Sequence, residues 1–280
     1  GDHRDLHLIA RRQRQMCIRD RSLRVSYHRA LTPMCGGERP HPMVAEAFEA
    51  GQETVVLCSG GLDSAVLLAH EAQTRKVQPI YVSTGLAWEH VEYQWMLRFL
   101  DALGPKIQPS VKLLFDMRDV YPETHWAIQG QPPGYDTPDE DVYIIGRNIV
   151  LLTKVALFCA QNEFHRIAVG PLAGNPFPDA TPDFFKTFEH SLSLGLNHRL
   201  TITAPFTKNQ KADVIQLGLE LSVPLRLTLS CMNPPKENLH CGECSKCRER
   251  QQGFHEAAVS DPTDYIVAPP SSYSFLNKSE

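Results

Sequence analysis

Short apolar runs alternate with longer segments of helical periodicity over most of the chain. Apolar runs of the length and composition of buried strands occur at 54–58, 77–84, 110–117, 166–172 and 201–206. Because most of these runs are apolar on consecutive positions rather than on alternate ones, they are typical of strands that are covered on both faces. The pattern therefore predicts a buried sheet of about five strands.

Segments with apolar residues at helical spacing separate these strands, at 64–74, 88–103, 148–164 and 211–221. Strands that alternate with helices predict an α/β fold, with a doubly wound, mostly parallel sheet. In such folds ligands bind outside the carboxyl ends of the strands. The loops that follow the strands are therefore the expected place for a functional site.

The remaining segments suggest the domain organisation. The arginine-rich segment 1–45 shows little periodicity and is interpreted as a disordered or non-native leader. Residues 46–228 form the predicted nucleotide-binding domain, 229–265 a small metal-binding segment and 266–280 a tail. Within the main domain, the Pro- and Gly-rich stretch 126–146 is predicted to be a long active-site loop.

Composition and charge limit the class of protein. The 280 residues are 42% hydrophobic and 21% charged, which is sufficient for a substantial core. A formal net charge of −4 argues against a protein that coats nucleic acid. No apolar run is long enough to span a membrane, so a membrane partner is not expected.

The sequence "SGGLDS" at 59–64 lies between the first predicted strand and the first predicted helix. It is neither a dinucleotide-binding fingerprint nor a Walker A loop, because the further glycine and the lysine of those motifs are absent. Glycines at such a turn let backbone N–H groups approach an anion, and the N-terminal end of the following helix attracts phosphate. The alternative is an ordinary turn in which Asp63 or Ser64 caps the helix.

This loop resembles the PP-loop of ATP pyrophosphatases, whose fold is of the adenine nucleotide alpha hydrolase type. The resemblance implies that ATP is cut between its α- and β-phosphates while a substrate oxygen becomes adenylated. It also implies that Asp63 helps to hold Mg²⁺. The residues expected to bind the nucleotide are Ser59, Gly60, Gly61, Leu62, Asp63 and Ser64.

Four of the eight cysteines lie close together near the C-terminus, at Cys231, Cys241, Cys244 and Cys247. Four thiolates in one short segment can close a tetrahedral Zn²⁺ site, and with all four positions filled by protein that zinc would be structural. An iron–sulfur cluster and disulfides are the alternatives. The clustering favours metal in a reducing, cytoplasmic environment over secreted disulfides.

The ordered combination of "SGGLDS", an Arg-Asn pair before a long helix, "PFTK" and "SC…CGECSKCRERQQGF" resembles the QueC-type 7-cyano-7-deazaguanine synthases. The resemblance covers roughly residues 54–265. It implies an enzyme that uses ATP to adenylate the carboxylate of 7-carboxy-7-deazaguanine and couples ammonia to it, first as an amide and then as the nitrile. It also implies ATP, Mg²⁺ and a structural Zn²⁺ as cofactors. A homodimer is expected.

Four further residues are assigned from the motifs of that family. Arg147 can neutralise phosphate or carboxylate and Lys208 can contact phosphate, so both join Asp63 as candidate catalytic residues. Asn148 and Asp179 are candidate substrate-binding residues. Each has an ordinary alternative: a surface ion pair for Arg147, a solvated lysine for Lys208, a helix cap for Asn148 and a turn aspartate for Asp179.

The segment after the second strand departs from the family pattern. Trp88, Glu89 and His90 occupy the place of a Tyr-Gly-Gln-Arg-His motif, and Phe177 and Ala180 replace a tyrosine and a cysteine of the substrate loop. Glu89 and His90 are candidate substrate-binding residues that could handle protons, or else they form the first turn of a helix. The departures concern the second substrate and leave the nucleotide half intact.

Three other functions compete with a QueC-like ligase. A divergent member could join the deazapurine to an amine other than ammonia, and a tRNA-modifying thiolase of the PP-loop class could adenylate a nucleobase oxygen. A thiolase needs a sulfur-carrying cysteine and a basic RNA-binding face. A non-catalytic nucleotide-binding subunit is the third possibility, and the intact Ser59, Asp63 and Ser64 argue against it.

Overall fold

The computed structural model of the chain describes residues 53–104, 107–235 and 239–270. The predicted leader 1–45 and the last ten residues of the predicted tail lie outside this part. The five strands are β1 Glu53–Leu57, β2 Lys76–Ser83, β3 Val111–Leu114, β4 Arg166–Ala168 and β5 Thr201–Thr203. The α-helices are α1 Leu62–Glu71, α2 Glu89–Leu103, α3 Trp126–Gln129, α4 Arg147–Asn162, α5 Pro182–Leu196, α6 Lys211–Glu220 and α7 Ser245–Glu256.

The strands form one parallel sheet in the order β3-β2-β1-β4-β5. The chain winds from β1 outward to β3 and then returns through α4 to the other side of β1, so the sheet is doubly wound as predicted. The switch of direction falls between β1 and β4, which pair at Val55 with Ile167 and at Val56 with Ala168. A ligand-binding crevice is expected outside the carboxyl ends of these two strands.

Alternate residues of β1 point to opposite sides of the sheet. Val56 belongs to a core with α1, α2 and α6, and Val55 belongs to a second core with α4 and α5. Both valines are fully buried. Burial on both faces explains why the strands read as continuous apolar runs in the sequence.

Three helices were not predicted: the short α3, which lies within the predicted active-site loop 126–146, α5 and α7. Helix α5 begins with Thr181 as its N-cap, whose hydroxyl accepts a hydrogen bond from the Phe184 N–H at 3.2 Å, and with Pro182 in the first turn. Those start signals were present in the sequence, and so was helical spacing of Phe184, Phe188, Leu192 and Leu196, which pack partly buried against the core, while only Phe185 is buried. Helix α7 runs on from the cysteine cluster.

None of the helices in the described residues is long and apolar enough to cross a bilayer.

Candidate active site

A cavity of about 290 Å³ lies at the switch point of the sheet. The loop after β1 forms one wall, and the loop after β4, at Gly170 and Pro171, forms another. The predicted strand 166–172 ends at Ala168, so its last residues are free to line this cavity. The opposite wall consists of the N-terminal end of α4 and residues Val142, Tyr143 and Ile144 of the predicted active-site loop.

The loop after β1 is held in shape by its own two serines. The Ser59 N–H donates to the Ser64 hydroxyl at 3.3 Å, and the Ser64 hydroxyl donates to the Gly61 carbonyl at 3.0 Å. The Gly61 N–H donates to the Ser59 hydroxyl at 3.2 Å. Gly60 has φ +79°, a backbone conformation that favours glycine.

Replacing Gly60 with alanine is expected to destabilise the protein by at least about 2 kcal/mol. An added Cβ would lie 2.9 Å from Met96 Cβ and 3.0 Å from its backbone, in addition to the cost of the positive φ. Thermal unfolding would measure the loss. Gly195→Ala is the matched control, because a Cβ there meets nothing within 4 Å and Gly195 lies inside α5. It should stabilise the protein slightly, by about 0.5–1 kcal/mol; equal melting temperatures for the two variants would contradict the expectation.

The N-terminus of α1 faces this cavity without a side-chain cap. The helix begins at Leu62, its N-cap residue is Gly61, and no side chain accepts a hydrogen bond there. The alternative interpretation, in which Asp63 or Ser64 caps the helix, is therefore wrong. The first N–H groups of a helix have no acceptor within the helix, and they carry a partial positive charge. The loop thus presents free donors to an anion in the cavity.

Asp63 lies in the first turn of α1, where both of its carboxylate oxygens accept hydrogen bonds from Lys211 Nζ, at 2.8 and 2.6 Å. Lys211 also pairs with Glu249 of α7, at 2.7 Å. Burial alone would lower the pKa of Lys211, but the charges of Asp63 and Glu249 raise it above its ordinary value. The lysine is therefore expected to stay protonated beside the glycine-rich loop.

The motif assignment pointed to Lys208 instead of Lys211. Lys208 is exposed and is not among the residues that line the cavity. The structure brings Lys211, three residues later, to the glycine-rich loop. The sequence carried no signal for this, since it depends on how α6 packs against α1. The role of Lys208 as a phosphate contact stays a prediction, without support from its position.

Arg147, Asn148 and Asp179 all line the cavity. Asp179 is 4% exposed and accepts hydrogen bonds from the Asn148 N–H at 3.0 Å and from its side-chain amide at 3.3 Å. The aspartate thereby caps α4 from outside. Burial raises the pKa of Asp179, while these bonds and the Arg147 charge oppose the shift.

Arg147 is the first residue of α4 and lies in the same wall. Its Nε is buried and has no hydrogen-bond partner among the residues that the structure describes. A buried guanidinium nitrogen without an acceptor is costly, which favours an anionic ligand as its partner. The alternative of a surface ion pair does not fit this position, because no salt bridge involving Arg147 is present among the described residues.

Glu89 and His90 do not line the cavity, in contrast to their assignment as substrate-binding residues. The Glu89 carboxylate is 6% exposed and accepts hydrogen bonds from Ser83, Thr84 and Gly85, at 2.6 to 3.1 Å. It therefore closes the loop after β2, and its oxygens are engaged by protein donors. His90 is exposed. The interpretation as the first turn of a helix fits both residues.

Sequence analysis missed Glu92, which does line the cavity. Its side chain is buried, and its Oε2 accepts a hydrogen bond from the Tyr81 hydroxyl at 2.8 Å. Burial is the largest effect on this carboxyl and raises its pKa to about 7. The signal was available, because Glu92 falls on the buried face of α2 with Trp95, Met96 and Phe99.

Two aromatic side chains form a flat part of the wall. Tyr143 and Phe177 stack with their ring centroids 5.1 Å apart, and both line the cavity. Phe177 is one of the residues that depart from the family pattern. Such rings are suited to a planar heterocycle, which can stack on them.

The four clustered cysteines converge in space. The Sγ atoms of Cys231, Cys241, Cys244 and Cys247 lie within 4.8 Å of one another, and all four residues are buried. Backbone N–H groups point at the sulfurs, including those of Asn233 to Cys231 at 3.3 Å and Glu243 to Cys241 at 3.4 Å. Such bonds stabilise thiolates, so the donor set fits a cation.

The spacing of the sulfurs distinguishes the alternatives. A tetrahedral site with Zn–S bonds of about 2.3 Å places its sulfurs about 3.8 Å apart. The Sγ–Sγ distance is 3.5 Å for Cys244–Cys247 and 3.8 Å for Cys241–Cys247. A 4Fe–4S cluster would separate all four sulfurs further, since each thiolate binds a different iron, and a 2Fe–2S cluster would separate the two pairs of sulfurs that bind its two irons. The cysteines of the described residues form no disulfide.

Helix α7 connects this cluster to the cavity. Arg248 donates to the carbonyls of Tyr135 and Thr137, at 2.9 and 2.8 Å, and to the Asp139 carboxylate at 3.0 Å. The Ser245 N–H donates to the Pro133 carbonyl at 3.2 Å. The acidic stretch of the predicted active-site loop is thereby docked on α7, directly before the cavity residues Val142 to Ile144.

The comparisons with known proteins agree with this arrangement. The family model described as "Queuosine biosynthesis protein QueC" matches residues 53–258. The 7-cyano-7-deazaguanine synthase of Methanopyrus kandleri is 31% identical over 227 residues, which cover 76% of this chain and 98% of that protein. The 7-cyano-7-deazaguanine synthase of Oceanobacillus iheyensis is 36% identical over 239 residues, which cover 77% and 99%.

Proposed function

Since the chain belongs to the QueC family, we propose that it is an ATP-dependent carbon–nitrogen ligase that makes 7-cyano-7-deazaguanine. In this proposal the carboxylate of 7-carboxy-7-deazaguanine is adenylated and coupled to ammonia. The resulting amide is then converted to the nitrile, with release of AMP and pyrophosphate. Membership of the family and the identity of its named relatives support the proposal.

One observation supports the ATP chemistry most directly: the uncapped N-terminus of α1 opens into the cavity beside the loop at 59–64. Backbone donors fixed by Ser59 and Ser64 need no reorganisation when phosphate binds. Lys211 lies beside them, and its ammonium group can neutralise phosphate charge if it moves from Asp63 to the phosphate. ATP therefore fits this loop as its ligand.

Asp63 would hold the Mg²⁺ that accompanies ATP. Its two carboxylate oxygens are hard donors of the kind that Mg²⁺ prefers, and they already face a cation, the ammonium of Lys211. Magnesium supplies charge neutralisation to phosphate oxygens when it is bound. Arg147, with its unpartnered Nε, is placed to orient the substrate carboxylate or the α-phosphate.

The four thiolates would hold a structural Zn²⁺. All four ligands come from the protein, so no coordination position is left for a substrate. Zinc at this position fixes the start of α7, and α7 in turn holds the acidic part of the active-site loop. Thiolate ligation agrees with a reducing, cytoplasmic environment, which we expect for this protein. We also expect a homodimer.

The acceptor is proposed to be a small molecule rather than tRNA. The aromatic pair Tyr143 and Phe177 offers a stacking surface in the cavity. A thiolase would need a reactive cysteine, but burial raises the pKa of Cys58 to about 11 and that of Cys159 to about 12. The other four described cysteines form the cluster. An amine other than ammonia remains the alternative second substrate.

Incubation with ATP, Mg²⁺, ammonium and 7-carboxy-7-deazaguanine tests the proposal. Mass spectrometry should detect the amide first and the nitrile after it, with AMP and pyrophosphate formed in step. Omission of ammonium should stop both products. Turnover of ATP with no change in the deazapurine would contradict the proposal, and an amide that never becomes a nitrile would limit it to the first half of the reaction.

A further inference from the structure

Three carboxylates line the cavity, and two of them are engaged by protein groups. Both oxygens of Asp63 accept hydrogen bonds from Lys211, and both oxygens of Asp179 accept hydrogen bonds from Asn148. Glu92 differs, because its donors among the described residues are neutral side chains: its Oε2 accepts a hydrogen bond from the Tyr81 hydroxyl, and the Trp88 side chain is a lesser donor to the carboxylate. It is 8% exposed, and the space in front of it is the cavity itself.

Ammonia near neutral pH is present mainly as ammonium, which cannot attack a carbonyl. The site must therefore bind a small cation, remove one proton from it and release the neutral nucleophile next to the activated acyl group. A buried carboxylate supplies both functions, since it attracts the cation and accepts its proton. Arg147, which lines the same cavity, is suited to the anionic partner of the same step.

We propose that Glu92 is the ammonium-binding residue and the general base for nitrogen transfer, an inference that rests on the proposed function. Ammonium gives one proton to the Glu92 carboxylate. The nitrogen lone pair then forms the C–N bond, and the bond between the acyl carbon and the AMP oxygen breaks with its electron pair on AMP. The second nitrogen proton passes to solvent, and Glu92 releases its own proton before the next turnover.

The groups around Glu92 set its proton affinity in the range this role needs. Burial has the largest effect and raises its pKa. The Arg147 charge and the hydrogen bonds from the Tyr81 and Trp88 side chains lower the pKa, whereas the charge of Glu89 raises it. The resulting pKa is about 7. From β1, Cys58 also faces the carboxylate, as a neutral thiol. A base is most effective when its pKa lies near the working pH.

Glu92→Gln keeps the shape of the side chain and its contact with Tyr81 but cannot take a proton. We expect amide formation from ammonium to fall by about 10²-fold or more. Two partial reactions should stay near the parent rate: exchange of pyrophosphate into ATP, which reports adenylation, and formation of the hydroxamate from hydroxylamine. Hydroxylamine is largely neutral at pH 7, so it needs neither the carboxylate's charge nor its proton uptake.

The pH dependence gives a second readout. In the parent protein, the rate with ammonium should rise as Glu92 deprotonates near pH 7 and then level off. In the variant it should instead follow the concentration of free ammonia and continue to rise at higher pH. Asp101→Asn is the matched control, because it removes an exposed carboxylate from the same helix. It should leave the rates of amide formation, pyrophosphate exchange and hydroxamate formation unchanged.

The outcomes separate the possibilities. Loss of pyrophosphate exchange in Glu92→Gln would show that Glu92 serves adenylation or substrate binding, and equal loss of amide and hydroxamate would show that it is not specific for ammonium. Either result overturns the inference while the proposed function stands. If the parent protein itself shows no exchange with 7-carboxy-7-deazaguanine, the proposed function fails and the inference fails with it.

Discussion

Asp63→Ala is expected to reduce substrate-dependent pyrophosphate exchange by about 10³-fold or more, because a ligand of a phosphate-bound metal contributes several kcal/mol to the transition state. The protein should nevertheless remain folded. Lys211, which loses Asp63 as its partner, keeps Glu249 at 2.7 Å and so is not left as an unpaired buried charge.

Glu249→Gln is the matched control for Asp63→Ala. It removes the other carboxylate of the same ion-pair network but leaves both oxygens of Asp63 in place. We expect exchange to fall by less than about tenfold in this variant. The Mg²⁺ concentration needed for half-maximal exchange should stay near that of the parent. An equal loss of activity in the two variants would show that Asp63 acts through Lys211 rather than through a metal.

Cys244→Ser is expected to remove the bound metal and most of the folded protein together. Structural zinc sites bind with about 10–16 kcal/mol in small zinc domains, which matches or exceeds the whole stability of a typical domain, about 5–15 kcal/mol. Cys244 is also the N-cap residue of α7 and pairs with Gly134 of the active-site loop. The remaining soluble fraction should therefore have lost the wall of the cavity and its activity.

Metal content by mass spectrometry and thermal unfolding by circular dichroism would measure this effect. Cys159→Ala is the control, since Cys159 is a buried cysteine outside the cluster. It removes only one sulfur from a core and should cost about 1–2 kcal/mol while one metal ion per chain is retained. A Cys244→Ser protein with full metal content and the melting temperature of the parent would refute a structural metal site.

Local signals determined the parts of the site that are close together in sequence. The loop at 59–64 and the cluster at 241–247 are each built from neighbouring residues, so their spacing alone defines the geometry they can adopt. The order of strands and helices likewise predicted the doubly wound parallel sheet, because burial on both faces produces apolar runs. Membership of the QueC family agrees with the loop, the cysteine cluster and the parallel sheet.

Contacts between distant segments were not determined in this way. Glu89 and Glu92 lie three residues apart on one helix, yet only the tertiary structure shows that the first closes the loop after β2 and the second enters the cavity. Likewise, only the tertiary structure shows that Lys211 rather than Lys208 lies at the glycine-rich loop, since this depends on how α6 packs against α1.

The sequence by itself therefore determined the fold class and singled out the glycine-rich loop and the four clustered cysteines, because each depends on periodicity or on short spacing. Only the tertiary structure decided which acidic and basic side chains share the cavity, since burial and pairing between segments as far apart as Asp63 and Lys211 depend on chain packing. The same packing makes Glu92 a buried carboxyl beside Tyr81 rather than a solvated one.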